Sequence, residues 1–130
     1  YPGVPEYFDN DGRGLYSYLT GAASWYMLTM ITSVYGVHGE LGDLVIEPAL
    51  MPQQYNEKGD AKVSLEFAGH GFDILVHNPD KLEPGDAQVK RALCDDVKVE
   101  NVTGNSVRMP RHAIEMLSTD KCHTVEIYIE

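Results

Sequence analysis

Thr20 and Gly21 are the residues of this sequence best suited to bind a small anion. They stand at the start of a predicted helix, where backbone N–H groups lack partners and the helix dipole is positive. Glycine lets an anion approach the backbone, since no Cβ intervenes, and the threonine hydroxyl adds a donor. Thr-Gly also occurs as a simple helix cap, so both interpretations stay open.

Arg13 lies upstream of this pair and is one of only 10 basic residues in the chain. It could supply positive charge to an anion site, or it could be an ordinary surface arginine. Carboxylates are plentiful, but those on predicted turns and edges are expected to be solvated. These are Asp43, Glu47, Asp95 and Asp96.

Nothing else in the sequence has the spacing of a catalytic or metal site. The five histidines show no recognised metal-ligand spacing, so no metal is expected. Ser24 lies in an apolar segment, and the G-x-S-x-G nucleophile motif is absent. We find no acid–base pair of carboxylates, so no catalytic residue is assigned. The chain is expected to hold at most part of an active site. The histidines are His38, His70, His77, His112 and His123.

The segment Tyr16 to Tyr35 is the only long apolar helix candidate. The helix is predicted to begin at Thr20-Gly21 and to end at Gly36, which suits the left-handed position after a helix. Its apolar residues cover most of the circumference, which is typical of a helix inside a larger assembly. The apolar run is too short to span a membrane. Residues 1–15 before it are rich in proline and glycine, so we expect neither helix nor regular strand there. That loop either lines a site or packs on its parent domain.

From residue 36 onward the pattern changes to short strands. Residues 36–55 are predicted to form a connector with one strand at 44–46. In segments 61–68 and 124–129, apolar and polar residues alternate with period two. Each strand is therefore expected to have one buried face and one solvated face. Such strands with regular turns favour an antiparallel, jelly-roll-like β-sandwich. We therefore expect a mainly β chain with a loop and helix in 1–39 and a sandwich in 40–130. The other predicted strands are 72–77, 87–93, 97–99, 106–109, 113–117 and 124–129.

Composition narrows the function class. The chain has 130 residues, which suits one domain or a piece of a larger protein, and we expect the latter because it begins in turn material at Tyr1. Its net charge of −10 argues against nucleic acid and against an anionic membrane surface as partners. Cys94 and Cys122 are best explained as reduced thiols of a cytoplasmic protein, although pairing stays open.

Three segments carry a family resemblance: Y-P-G-V-P-E-Y-F, D-G-R-G-L-Y-S-Y-L-T-G-A-A-S-W-Y and G-E-L-G-D-L-V-I-E-P-A-L. They resemble the C-terminal region of the cellobiose phosphorylase family, the inverting glycoside phosphorylases (glycoside hydrolase family 94). The similarity is continuous from Tyr1 to about Leu50. It is weaker beyond, where F-A-G-H-G-F-D-I-L-V-H-N-P is similar to a late strand pair of the family.

The resemblance implies a fold and a reaction. Family members carry an N-terminal β-sandwich, a helical (α/α) barrel with the active site, and a C-terminal β-sandwich. This chain would supply the last barrel loop and helix plus the final sandwich. Inorganic phosphate would cleave a β-linked disaccharide or oligosaccharide with inversion, giving an α-sugar 1-phosphate. Thr20 and Gly21 fall on the phosphate-binding pair of the motif.

The same resemblance assigns the general-acid Asp to a region upstream of this chain. No cofactor is expected, since phosphate is a substrate. Glu6, Tyr7 and Arg13 are candidates only for positioning the loop. The expected partners are the disaccharide or oligosaccharide, phosphate and the upstream catalytic domain. Without that domain, we expect the apolar helix to fold back on the sandwich or to form a homodimer through Trp25, Leu28, Met30 and Ile31.

Two other functions stay open. The sandwich could be a non-catalytic carbohydrate-binding or structural module. The parent could also be a hydrolase on the same scaffold, which would release free sugar without phosphate. The sequence does not identify the sugar or the linkage.

Overall fold

The computed structural model describes residues 4–11, 13–18 and 21–130, with side chains from 9–11, 13 and 23–130. These residues form eleven strands and two α-helices, the first of which continues into a π-helical turn at Met30–Val34. The elements are β1 (Val4–Phe8), β2 (Gly14–Tyr18), α1 (Gly21–Thr29), β3 (Val37–Glu40), β4 (Asp43–Ile46), β5 (Asp60–Phe67), β6 (His70–His77), β7 (Val89–Cys94), β8 (Val97–Lys98), β9 (Val102–Thr103), β10 (Ser106–Met109), α2 (Arg111–Glu115) and β11 (His123–Ile129).

The beginning of the chain differs from its prediction. Strands β1 and β2 pair as an antiparallel hairpin, so the expectation of no regular strand in 1–15 was wrong. The Asp-Asn-Asp cluster makes the turn, because Asp9 Oδ1 accepts from the backbone N–H groups of Asp11 at 3.0 Å and Arg13 at 2.8 Å. Pro5 fits this two-stranded sheet because both of its strands are edges, where a missing N–H is tolerated.

The apolar helix is shorter than the segment that predicted it. Tyr16 to Tyr18 belong to β2, and the helix begins at Gly21. Gly36 follows its end with φ +67°, as predicted. A Cβ at Gly36 would also overlap the carbonyl oxygen of Glu47, whose N–H donates to Gly36 O at 3.0 Å. Glycine is therefore required at position 36 for two reasons, the positive φ and the lack of room for a Cβ.

Two sheets form the rest of the chain. One has the order β3-β4-β10-β9, and the other has the order β5-β6-β11-β7-β8. Their buried side chains form a single core, which includes Leu44 and Ile46 from the first sheet and Phe72, Val125 and Ile127 from the second. The mainly β character is thus confirmed, and the arrangement is consistent with a β-sandwich.

The larger sheet is mixed and not wholly antiparallel as predicted. Strands β6 and β11 run parallel, with register from Phe72↔His123 to His77↔Tyr128. A parallel pair needs a long crossover, which residues 78–122 provide. The predicted alternation of β11 is confirmed, since Val125, Ile127 and Ile129 are buried while Glu126 and Tyr128 are not.

Segment 113–117 was predicted as a strand and is instead part of α2 and the residues after it. Pro110 precedes the helix, and its carbonyl accepts from Ala113 N–H at 2.9 Å. Only Ile114 of α2 is buried, which suits a short helix packed on one side. Strand β3 was missed, because Gly36 and Gly39 in its neighbourhood indicated a connector. In the part of the chain described, no helix combines the length and apolarity needed to cross a bilayer.

Candidate functional site

The predicted anion site falls at the start of α1. Gly21 is the first residue of this nine-residue helix, which has no acidic side chain in its first turn. Thr20 lies outside the described residues. Strands β1 and β2 both contact α1, so the hairpin positions the helix start. Because no carboxylate lies in the first turn, none repels an anion from the first-turn N–H groups.

Arg13 lies on the turn of the same hairpin. Its Nη2 lies 3.6 Å from Asp11 Oδ2, and both side chains are exposed. Such a pair contributes about 0–1 kcal/mol, so it does little to fix Arg13. Glu6 and Tyr7 belong to β1, and their side chains lie outside the description.

Four consecutive apolar side chains of α1 are exposed. Trp25 is 70%, Tyr26 59%, Met27 60% and Leu28 50% accessible. Successive helical residues are rotated by about 100°, so these four surround the helix. Residues 25–28 of α1 are therefore an apolar rod without cover among the residues described, unlike an ordinary surface helix with one polar face.

The end of the same helical segment is anchored to the sandwich. Ile31, Val34 and Tyr35 pack against the core. Tyr35 OH donates to Lys62 O of β5 at 2.9 Å, and Ala49 N–H donates to Val34 O at 2.9 Å. The helix thus folds back on the sandwich only at its last turn, and Trp25 and Leu28 do not share in that packing.

Asp43 is a structural anchor, although its position on a predicted turn indicated a solvated charge. Its oxygens accept from Arg111 N–H at 2.9 Å and from Arg108 Nη1 at 2.8 Å. The N–H of Arg111 first, and then the Arg108 guanidinium, hold the pKa of this carboxyl below its usual range. Arg108 also pairs with Glu40. Asp43 thereby joins the β3–β4 turn to β10 and α2.

Asp95 is a second anchor that the sequence did not indicate. It accepts from Lys121 Nζ at 2.9 Å, Thr124 N–H at 2.9 Å and His123 Nδ1 at 2.7 Å. These partners, Lys121 foremost, lower the pKa of Asp95 far below its ordinary value. Glu47 and Asp96 remain exposed, as expected.

His123 is 1% accessible and lies between two acceptors. Besides Asp95 at Nδ1, its Nε2 lies 2.7 Å from Ser118 O. Carboxylate and carbonyl oxygens only accept, so the His123 ring is flanked by one acceptor from the turn after β7 and one from the segment after α2. His70 Nδ1 lies 3.3 Å from the same Ser118 oxygen. These histidines fix the segment between α2 and β11, and neither forms part of a metal cluster.

The remaining histidines also have structural partners or are exposed. His77 Nδ1 lies 2.7 Å from Asp60 Oδ1, and its ring stacks on Tyr128 at 4.7 Å. Arg91 covers the Tyr128 ring at 4.1 Å. His38 contacts Gly36 O, and His112 is exposed. Among the described residues, no three His, Cys, Asp or Glu side chains are grouped to hold a metal.

Both cysteines are free thiols in this structure. Cys94 is buried and Cys122 is exposed. Burial, followed by the nearby charge of Asp95, raises the pKa of Cys94 to about 11. Burial of its sulfur, with the charge of Asp73, also raises the pKa of Cys122. Neither thiol has the lowered pKa of a nucleophile.

Two cavities flank α2. One has a volume of about 450 Å³ and lies between α2, the β3–β4 turn and the β5–β6 turn. The other has a volume of about 590 Å³ and is mainly apolar, between α2 and the segment around Val97 and Val99. Neither was indicated by the sequence, because their walls come from segments far apart along the chain.

The sequence matches no known protein-family model, and no curated protein matches it either. The assignment of function therefore depends on the motif segments and on the geometry described above.

Proposed function

We propose that this chain is the C-terminal part of an inverting glycoside phosphorylase acting on a cellobiose-like, β-linked disaccharide or oligosaccharide. The observation that supports this most is that α1 begins at Gly21, within the segment Y-L-T-G-A-A-S-W. The glycine of the pair that the resemblance assigns to phosphate is thus the first residue of a helix, where backbone chemistry favours an anion.

In the proposed reaction, a phosphate oxygen attacks the anomeric carbon of the sugar and the glycosidic C–O bond breaks. The leaving sugar oxygen takes a proton from a carboxylic acid that belongs to the upstream domain. The Thr20 hydroxyl and the first-turn N–H groups hold phosphate on the face opposite the leaving sugar. Donors that a helix start holds in place would need little reorganisation during the reaction. No residue of this chain is proposed as the general acid.

The exposed rod of α1 agrees with this proposal. Residues 25–28 offer apolar surface that a helical barrel would bury, and full burial of each such side chain is worth about 1.5–3 kcal/mol. The hairpin and α1 would then complete the barrel, while the sandwich anchors the helix end through Tyr35. The proposed protein is cytoplasmic.

An assay of the intact parent tests the proposal. The enzyme is incubated with phosphate and a panel of β-linked disaccharides, and sugar 1-phosphate is measured. Phosphate-dependent formation of an α-sugar 1-phosphate is expected. Release of free sugar without any phosphate requirement would instead identify a hydrolase, and the proposed reaction would be wrong.

A second candidate function is a non-catalytic carbohydrate-binding or structural module. It is favoured by the single core shared by the two sheets, since a packed sandwich can have a structural or binding role without a reaction. Glycan binding without turnover by the intact parent would support this candidate over the first.

A further inference from the structure

We propose that the 450 Å³ cavity beside α2 binds a neutral mono- or disaccharide, at a site separate from the start of α1. The cavity is lined by Gly42, Phe67, Ala68, His70, Arg111, Ile114 and Glu115, all of them downstream of α1. Its volume lies within the range of about 300–1,000 Å³ typical of small-molecule sites. This proposal rests on the second candidate function, a carbohydrate-binding module, and does not require the phosphorylase reaction.

Arg111 contacts three neighbouring groups, although its side chain is 70% accessible. Its backbone N–H donates to Asp43 Oδ1 at 2.9 Å, and its Nε donates to Glu115 Oε1 at 2.7 Å. A Cβ on Gly42 would lie 3.0 Å from Arg111 Cδ, so the side chain packs closely on the β3–β4 turn. The terminal guanidinium nitrogens have no hydrogen-bond partner in the described part of the chain. A guanidinium whose terminal N–H₂ groups are both unpaired presents a planar fork of donors, which suits a pair of adjacent oxygens.

Glu115 determines the charge of the ligand. Beside Arg111 it makes the cavity wall an ion pair of no net charge, with donors and acceptors next to each other. An anion would be repelled by Glu115 and by the overall charge of −10, and a cation would be repelled by Arg111. Neighbouring hydroxyl groups fit both partners, because each hydroxyl accepts from the guanidinium and donates to the carboxylate.

The other walls fit the apolar face of a sugar ring. Phe67 and Ile114 supply aromatic and aliphatic surface. The Phe67 ring lies over Gly39, where a Cβ would be 3.0 Å from its Cε2. His70 adds a polar group that is 94% buried, since its accessibility is 6%. Its Nδ1 lies 3.3 Å from Ser118 O, and its Nε2 has no hydrogen-bond partner among the described residues.

The test is a titration of the full chain, labelled with ¹⁵N, with methyl β-glucoside, cellobiose and maltose. Saturable shifts are expected for the amides of 67–70 and 111–115, with a dissociation constant on the order of 1–10 mM for such an open site. Arg111→Gln and Glu115→Gln should each weaken binding about tenfold or more, because each leaves sugar hydroxyls unpaired. Both side chains are mainly exposed, so folding should persist.

Arg91→Gln and Glu100→Gln are matched controls on other surfaces, and they should bind as the unmodified chain does. Sodium phosphate and sorbitol are titrated in parallel to separate a sugar site from an anion site and from nonspecific polyol effects. The proposal is wrong if no saccharide gives saturable shifts, if the shifts fall elsewhere, if both cavity variants bind normally, or if phosphate occupies the cavity instead. Loss of phosphorylase activity in the parent would leave this result unaffected, since α1 is not probed.

Discussion

His123 Nδ1 lies 2.7 Å from Asp95 Oδ2, and this contact joins β11 to the turn after β7. Lys121 Nζ lies 2.9 Å from the same carboxylate oxygen, and Thr124 N–H donates to the other oxygen of Asp95 at 2.9 Å. Replacing this carboxylate removes a charged acceptor from three partners at once, and a hydrogen bond to a charged group is worth about 1.5–3 kcal/mol.

Asp95→Asn should therefore lower the free energy of unfolding at neutral pH by about 1.5–3 kcal/mol. The pKa of Asp95 is depressed in the folded state, so its contribution is complete above its ordinary value of about 3.9 and is lost as pH falls below it. The difference between wild type and variant should narrow on acidification. Urea unfolding followed by circular dichroism, from neutral to acidic pH, measures it.

Asp96→Asn is the matched control. Asp95 and Asp96 both have positive φ, 48° and 68°, which asparagine tolerates well, so this variant isolates the backbone effect. It should change stability little. If the difference in unfolding free energy between the wild type and Asp95→Asn stayed constant down to strongly acidic pH, the role of the carboxylate charge would be contradicted.

Gly36 is the residue at which a single methyl group should be most harmful. Gly36→Ala combines a left-handed φ with overlap of the Glu47 carbonyl, so we expect a loss of about 3–4 kcal/mol. Gly104→Ala has a similar φ of +60° but nothing near its Cβ, and should cost about 1–2 kcal/mol. Equal losses in the two variants, measured by denaturant unfolding, would show that space at Gly36 is unimportant.

The parts of the fold that the sequence predicted are those with a local signal. Strands β5 and β11 alternate because one face is dry, and Gly36 marks a helix end by its backbone freedom. Strand β3 and the first hairpin were missed, because glycine and proline in these segments are typical of loops. Pairing at a sheet edge is nevertheless enough to form strands there. The parallel β6–β11 pair could not be predicted, because pairing partners are chosen by the whole sheet.

The candidate site shows the same division. Gly21 at a helix start was predictable from local sequence. The Asp95–His123 and Asp43–Arg108 contacts join residues 28 and 65 positions apart, so no spacing reveals them. The cavity proposed as a saccharide site was also not predicted, because segment 113–117, which is partly α2, was predicted as a strand.

The two thiols should differ in reactivity. Cys122 is exposed, whereas Cys94 is buried with a pKa of about 11, so at pH 8 only about one in a thousand Cys94 groups is thiolate. A disulfide reagent should label one thiol in the native chain and both in denaturant, as counted by mass spectrometry. Cys122→Ser should abolish native labelling, and Cys94→Ala should not. Rapid native labelling of Cys94 would contradict its burial.

Thr20→Ala in the intact parent should weaken phosphate binding by about 1–3 kcal/mol, because a hydroxyl donor to a charged group is lost. This corresponds to roughly a 5- to 150-fold rise in the phosphate Michaelis constant, or to lower turnover. Gly21→Val should be worse, since a branched side chain would crowd the anion. Steady-state kinetics at varied phosphate measures both effects.

Thr20→Ser keeps the hydroxyl and is the control for the loss of the threonine methyl group. This variant should retain phosphate binding, and phosphate should still protect the parent against thermal unfolding. Normal kinetics in Thr20→Ala would remove Thr20 from the phosphate site. The Michaelis constant for disaccharide should change less than that for phosphate.

The exposed rod of α1 should cause the isolated chain to associate. Trp25 and Leu28 are 70% and 50% accessible, and apolar surface of this kind is stabilised when covered. A second copy can cover it symmetrically, so we expect a dimer. Sedimentation equilibrium should show a concentration-dependent dimer for the unmodified chain, and a monomer for the double variant Trp25→Gln, Leu28→Gln.

Met116→Gln controls for a general effect of apolar exposure. Met116 is 85% accessible but follows α2, far along the chain from α1, so its replacement should leave the dimer intact. The double variant should keep its sandwich, because neither Trp25 nor Leu28 packs against the core. If the unmodified chain were a monodisperse monomer, the apolar side chains of α1 would be stable in contact with solvent. The inference that a barrel normally surrounds this helix would then be weaker.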